Sequence, residues 1–317
     1  MRLARHRSVL LLAVCIAVAA LSACSSAPEE TEITSETRNR AAEYTEFGNR
    51  YLDRAQYDQA LKFYNLALED NIAIDNQEGI VLSRNAIGEA FLLTAQYDKA
   101  AASFAAAMEL SLELGRRDLE LRTLNNEGKL ALNLGRSDAA LVSFQKARDI
   151  IDSEKDSPTD IVADIYHSTG ALYKILEEYD QAESYLLLSL DLNRDLNRLE
   201  EEASNYYVLA SVYSKQEFFD RAETNLERAL KIDKQIENKL GIADDYYALG
   251  LVAEKRGDFE AAYNHFRTAV DKYIILNKLR PTIDSYYRLR ELALLLGKDA
   301  EAASYGETIS VLEESRR

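Results

Sequence analysis

Residues 44–67 read YTEFGNRYLDRAQYDQALKFYNLA. Two small residues twelve apart, Gly48 and Ala60, organise this stretch: Tyr44 precedes and Tyr51 follows the glycine at helical spacing, and Tyr64 and Ala67 follow the alanine in the same way. Large residues facing small ones at steps of three and four describe two helices packed on each other, and Tyr57-Asp58 marks the turn between them.

The same arrangement recurs to the end of the chain. The anchoring alanine returns as Ala60, Ala100, Ala140, Ala182, Ala222, Ala262 and Ala302, at spacings of 40, 40, 42, 40, 40 and 40. Twelve residues upstream lie Gly48, Gly88, Gly128, Gly170, Ala210 and Gly250, with Arg290 breaking the series. Five of the twelve glycines thus share one register. A residue that costs up to ~1 kcal/mol inside a helix is tolerated there only if two backbones must approach closely. Four residues after the alanine stand Tyr64, Phe104, Phe144, Leu186, Leu226, Phe266 and finally Gly306. Gly135, Gly257 and Gly297 mark turns, and Asp58, Asp98, Asp138, Asp180 and Asp220 follow as carboxylates expected to cap helix starts. The absence of tryptophan, the three prolines and the wealth of Ala, Leu and Glu agree with a helical chain. The expected fold is therefore all-α, a superhelical solenoid of about seven helix pairs over residues 41–317.

In this order and spacing, the large residue, Leu-Gly-like small position, Tyr, Ala, Phe and Ala resemble the tetratricopeptide repeat over about residues 41–310. Two departures stand out. The proline that ends the second helix in that family is missing, and the period is 40 rather than 34, as in the longer variants. The two residues added before the fourth unit coincide with Asp156-Ser157-Pro158-Thr159-Asp160, a break and a fresh helix start. The seventh unit, with Arg290 and Gly306 at packing positions, reads as a terminal cap.

The first forty residues read as an address. Arg2, Arg5 and Arg7 precede an apolar run from Val9 to Leu21, too short to span a bilayer comfortably, and Leu21-Ser22-Ala23-Cys24 follows. By themselves these residues fit an ordinary signal peptide cut near Ala23, an uncleaved anchor or a lipoprotein signal. They resemble the lipobox of bacterial lipoproteins, which implies a signal peptide at 1–23 and acyl chains such as palmitate on Cys24. Ser25 resembles the outer-membrane sorting pattern, which implies anchoring in that membrane facing the periplasm. Residues 24–40 carry Ser, Thr, Glu and a lone Ile33 and are expected to form a flexible tether. Losing Arg2, Arg5 and Arg7 takes the formal charge from −16 to −19. So acidic a body repels phosphate backbones, which disfavours nucleic acid as a partner.

The resemblance implies that first helices line a concave face and that the residue after the large aromatic points into it. That register holds Thr45, Asn85, Asn125, His167, Tyr207, Tyr247 and Tyr287. Three tyrosines in a ladder and several amides suit capture of a protein or peptide segment, although the tyrosines could instead pack on a neighbouring repeat. Arg122, Asn125, Lys129 and Asn133 follow one helical stripe and could receive an anion; the stripe is similar to the carboxylate clamps of some family members, but the full set does not recur. No catalytic, cofactor or metal constellation emerges: Cys15 and Cys24 lie in the leader and at the lipid site, and His167 and His265 have no ligand-spaced partners. The expectation is a non-catalytic, membrane-anchored scaffold for a protein partner in cell-envelope assembly. The alternative is a structural lipoprotein that self-associates, with its groove idle.

Overall fold

The computed structural model describes residues 32–154 and 157–314. The expected signal peptide, Cys24 and the first part of the tether lie outside the described residues. The chain divides into two compact units, residues 1–90 and 91–317. The first contains α1 (Glu32–Asp53), α2 (Tyr57–Ala73) and most of α3 (Gln77–Leu93). The second continues with α4 (Tyr97–Leu114), α5 (Arg117–Asn133), α6 (Ser137–Ser153), α7 (Thr159–Ile175) and α8 (Tyr179–Asp195). It ends with α9 (Leu199–Lys215), α10 (Phe219–Gln235), α11 (Lys239–Arg256), α12 (Phe259–Ile275), α13 (Leu279–Leu295) and α14 (Asp299–Glu314). No strand occurs among the described residues, and no described helix is long and apolar enough to cross a membrane.

In the first unit α1 and α2 form one antiparallel pair. In the second, α5/α6, α7/α8, α9/α10, α11/α12 and α13/α14 pair in turn, and each second helix also packs on the first helix of the next pair. This is the expected solenoid of tetratricopeptide-like helix pairs.

The seam inside each pair is built from the small-on-large register. A Cβ placed on Gly48 would stand 2.3 Å from Cε1 of Tyr64, and one on Gly128 2.3 Å from Cε1 of Phe144. At Gly170 it would meet Cγ of Leu186 at 2.6 Å, and at Gly250 Cε1 of Phe266 at 2.8 Å. Only glycine lets these helices approach so closely. Gly88 is buried, as are Ala60, Ala100, Ala140, Ala182, Ala222 and Ala262. The last pair inverts the pattern: Gly306 sits where the ring should be, and its nearest neighbour for a Cβ is Cδ of Arg290 at 3.9 Å.

Two local expectations need correction. Residues 32–40 are not tether but the start of α1. Thr37 is buried, and Arg40 grips Asp70 of α2 through Nε and Nη2 at 2.7 and 2.6 Å, a long-range contact that a count of apolar residues cannot register. The aspartates after the turns do not cap by side chain. Asp58, Asp98, Asp138, Asp180 and Asp220 lie one residue inside their helices, and the capping positions before those helices make no side-chain bond. Their contribution is charge against the positive helix end. Side-chain caps come instead from Asn238 to the Gly241 N–H and Asp258 to the Ala261 N–H, both at 3.1 Å.

Each turn inside a pair closes with a residue in the left-handed region. Between first and second helices these are Ala55, Ala95, Gly135, Glu177, Glu217, Gly257 and Gly297. The following N–H bonds back to a carbonyl in the helix just ended, as Gln56 does to Tyr51 and Arg136 to Ala131, so helix ends that lack proline are still stopped.

Candidate protein-binding face

The first helices of neighbouring pairs approach one another directly, α5 with α7 and α7 with α9. Polar side chains stitch this layer together within the second unit. Arg122 of α5 reaches Asp160 at 3.6 Å, and Nδ1 of His167 on α7 lies 3.1 Å from Oδ1 of Asn205 on α9. Lys255 of α11 donates to Oγ of Ser214 at 3.4 Å, and Arg288 of α13 lies 3.5 Å from Glu254. Direct approach of the first helices makes theirs the inner layer of this unit.

The residues expected to face a partner fall into three groups. Asn85, in the first unit, is buried and spends an amide hydrogen on the Val81 carbonyl at 3.2 Å, so it offers no partner surface. Tyr247 and Tyr287 are drawn onto their own pairs. The Tyr247 ring stands edge-on to Phe266 and Tyr273, with centroids at 5.2 and 6.4 Å, and the Tyr287 hydroxyl donates to Glu313 at 2.8 Å. The tyrosine ladder is therefore interrupted, because a phenol beside an aromatic or a carboxylate of its own hairpin is better satisfied there than in solvent. Tyr207, at 37 % exposure, is the rung that remains open. Partial burial, with Asp244 and Asp245 nearby, pushes its pKa up to about 12, so it stays a neutral donor.

The stripe on α5 also divides. Arg122 is engaged with Asp160, and Asn133 bonds the Lys129 carbonyl of its own helix at 2.9 Å. Among the described residues half-buried Lys129 is in no ion pair, and Oδ1 of Asn125, a residue only 5 % exposed and so out of a partner's reach, has no hydrogen-bond partner. His167 lies close enough to feel both Lys129 and Lys174. Burial pushes its pKa down, opposed by the Asn205 contact, so the ring is neutral near pH 7. Asn205 uses its Nδ2 on the Glu201 carbonyl at 2.9 Å and thus presents Oδ1 to His167, which places the imidazole proton on Nδ1 and leaves Nε2 an acceptor.

Sequence reading missed Lys174, Lys215 and Lys255, which close α7, α9 and α11 on the same layer. Their spacing of 41 and 40 was the available signal, outside the one register attended to. It also missed the joint between α10 and α11. There buried Asp245 and buried Asp233 lie close enough to influence each other, and Asp233 accepts from Nδ2 of Asn238 at 3.1 Å. Burial first, then Asp233, raises Asp245 to about 8. No group of three or more His, Cys, Asp or Glu among the described residues is arranged to hold a metal ion.

The fold and this layer define a class, the solenoid of helical hairpins that presents a continuous face of first helices. Tetratricopeptide repeat models match residues 163–196, which are α7 and α8, and residues 201–274, which run from α9 through α12. No curated protein sequence matches the chain significantly. Among solved structures it is similar to the apo form of RapI, at 12 % identity over 90 % of this chain and 77 % of that one, TM-score 0.67. It is also similar to a Rap protein complexed with competence and sporulation factor, at 15 % identity over 86 % and 74 %, TM-score 0.65. A third likeness is to PilW, described as a widely conserved type IV pilus biogenesis factor, at 18 % identity over 73 % and 93 %, TM-score 0.58. At such identities the likeness establishes the fold.

Proposed function

We propose that this chain is a non-catalytic adaptor lipoprotein, anchored through acyl chains on Cys24 in the periplasmic leaflet of an outer membrane, that holds a segment of a protein partner during cell-envelope assembly. The observation that carries the binding role is the inner layer of α5 to α11. There, among the described residues, half-buried Lys129 takes part in no ion pair and Tyr207 keeps its ring exposed. The order of basic residues, apolar run and Leu21-Ser22-Ala23-Cys24 supports the anchor. PilW, of like fold, is described as a type IV pilus biogenesis factor, and a Rap protein is described in complex with competence and sporulation factor; both are consistent with protein recognition by such a layer.

Two measurements test this reading. Cys24→Ser should abolish incorporation of labelled palmitate and move the protein from the membrane to the soluble fraction; unchanged fractionation overturns the anchor. A photo-crosslinker at Tyr207 should capture a discrete partner in living cells, while one at Asp58 on α2 should not. Tyr207→Ala should lose that partner with helicity unchanged, whereas Tyr247→Ala should also lower the melting temperature. Absence of any product at Tyr207 rejects the binding face.

A further inference from the structure

The residue three places after the anchoring alanine makes a second contact inside the pairs, and the fifth pair departs from it. In the first pair that residue is Phe63, whose ring stacks on Tyr51 with centroids 5.4 Å apart and leans on Tyr44 at 6.1 Å. In the fourth pair it is Tyr185, stacked on Tyr173 at 5.5 Å and leaning on Tyr166 at 5.9 Å. The fifth pair keeps both flanking phenols, Tyr206 and Tyr213, but places Asn225 where the third ring belongs. The Asn225 amide turns back to the Arg221 carbonyl of its own helix at 2.7 Å. A cleft of about 390 Å³ lies beside the two tyrosines, with buried Leu190 and Leu209 in its wall.

Guanidinium groups lie over the rings that Asn225 leaves uncovered. Arg221 stands 4.0 Å from the Tyr213 centroid, and Arg194 and Arg228 stand 5.4 and 5.5 Å from that of Tyr206. All three line the cleft and are themselves exposed, so they can swing aside for a ligand or stack on it. Two of them have carboxylates, Arg221 that of Glu183 at 2.8 Å and Arg194 that of Glu202 at 3.1 Å. Asp220, also in the wall, is fully exposed and lies 3.7 Å from Arg256. Among the described residues Arg228 takes part in no ion pair, so one cation at the cleft is uncompensated.

Shape and charge each restrict what fits. The two flanking registers close on a ring at Phe63 and at Tyr185, so the same slot in the fifth pair suits a planar ring, which stacks on phenol and guanidinium alike. One unpaired guanidinium calls for one negative charge. A carboxylate meets it through a planar two-point contact, whereas a phosphate dianion would bring a second charge with no cation left for it. The volume falls within the range of small-ligand sites, about 300 to 1,000 Å³.

We propose that the cleft between α8, α9 and α10 binds an aromatic carboxylate, its ring in the slot beside Tyr206 and Tyr213 and its carboxylate on Arg228. A free aromatic acid carries this chemistry, and so does an aromatic residue next to an acidic one on another protein. Tyr206 is buried in the wall of the cleft while its neighbour Tyr207 stays open on the first-helix layer, so this site stands apart from the proposed partner face.

The test titrates the full-length chain, by saturation-transfer NMR, with phenylacetate, phenylacetamide, cyclohexylacetate and a capped phenylalanyl-aspartate dipeptide. Phenylacetate should bind with a Kd on the order of 1 mM, as befits about ten non-hydrogen atoms. Phenylacetamide, which lacks the charge, should bind about tenfold more weakly, and cyclohexylacetate, which lacks the planar ring, about threefold or more. Arg228→Gln should bring phenylacetate down to the level of phenylacetamide and leave phenylacetamide as it was. Arg267→Gln removes a guanidinium that lies 5.9 Å from the Tyr263 centroid, away from this cleft, and should change nothing. Asn225→Tyr should supply the third ring as Tyr185 does, abolish binding of every probe and leave the melting temperature no lower. Tighter binding of the dipeptide than of phenylacetate assigns the ligand to a protein segment, and the reverse assigns it to a free acid. Undiminished binding by Asn225→Tyr, or no binding of phenylacetate to the native chain, overturns the site. Equal affinity for phenylacetamide overturns the carboxylate, and equal affinity for cyclohexylacetate overturns the ring. If Asn225→Tyr does not fold, Arg228→Gln decides alone, and unchanged binding of phenylacetate by it overturns the proposal.

Discussion

Two kinds of seam hold the second unit together, and they obey different rules. Inside each pair the contact is apolar and nearly invariant, a glycine or alanine under a ring or leucine: Gly128 under Phe144, Gly170 under Leu186, Gly250 under Phe266. Between pairs, the register where the second helix of one meets the first of the next is filled differently at each step, by polar residues at four joints and by apolar ones, Ile151 among them, between α6 and α7. These registers hold Ser111 and Thr123, then Asn193 and Asn205, then Asp233 and Asp245, then Tyr273 and Ser285. The inner seam demands one shape, so every copy but the last repeats it. The outer seam demands only that hydrogen bonds be made, and hydroxyl, amide and carboxyl each manage this with different partners. A copy can therefore acquire a property of its own at the joint between pairs without disturbing the hairpin.

The sharpest way to break this contrast is to fill the invariant seam. Gly128→Leu would drive a side chain into Phe144, whose ring already lies 2.3 Å from the site of a Cβ and is itself fully buried. Overpacking of this kind costs about 1 to 3 kcal/mol, and a ring held between two helices has little room to give. Urea denaturation followed by circular dichroism should show a clear fall in midpoint. An unchanged midpoint would mean that the small-on-large register does not define the hairpin.

The variable seam should answer to pH instead. Burial first, then the neighbouring Asp233, pushes the pKa of Asp245 up to about 8 in the folded chain, against about 4 for a free carboxyl. A carboxyl whose folded pKa is raised stabilises most at low pH; its contribution is lost as pH climbs from about 4 to about 8, by at most about 1.4 kcal/mol per pH unit, and is flat above. Asp245→Asn retains a donor for Asp233 and removes the titration of Asp245 itself, leaving that of Asp233, which burial also raises. The variant should match the native chain near pH 4 and exceed it in stability near pH 8. Parallel pH profiles would show that the two acids do not share a proton. Asn193→Ala, at the amide joint, should leave the pH profile unchanged in shape.

This contrast also explains what could be read in advance. The hairpin seam was legible because a glycine in a helix is unfavourable without a reason, and Gly48, Gly88, Gly128, Gly170 and Gly250 state the reason at one fixed interval. The partner face was less so. A single register holding Tyr207, Tyr247 and Tyr287 suggested a ladder, but spacing does not reveal that Tyr247 finds Phe266 and Tyr287 finds Glu313 within their own pairs. Lys174 and Lys215 were hidden for the opposite reason: a lysine near a helix end is ordinary in sequence, and only the ion pairs around it show that its neighbours are already committed. Arg40 and Asp70 lie thirty residues apart, so the helical start of α1 depended on a partner that composition could not name.

The smallest effect concerns the turn that sets the hairpin seam. Gly135, Gly257 and Gly297 occupy the left-handed turn position of their pairs, but in the fifth pair that position is Glu217 with φ of 64°. The turn is otherwise the same, with the Phe218 N–H donating to the Tyr213 carbonyl at 2.9 Å as the Asp258 N–H does to that of Ala253. A side chain in this conformation costs about 1 to 2 kcal/mol, offset in part by the freedom glycine has in the unfolded chain, so Glu217→Gly should stabilise by about 0.5 to 1 kcal/mol. The reverse change, Gly257→Ala, should destabilise by a similar amount, and both are read from the urea midpoint at constant slope. Because the turn belongs to the invariant seam, neither change should alter the pH profile set at Asp245. If Glu217→Gly lowered stability or shifted that profile, the turn and the joint would be coupled, and the separation of the two seams would fail.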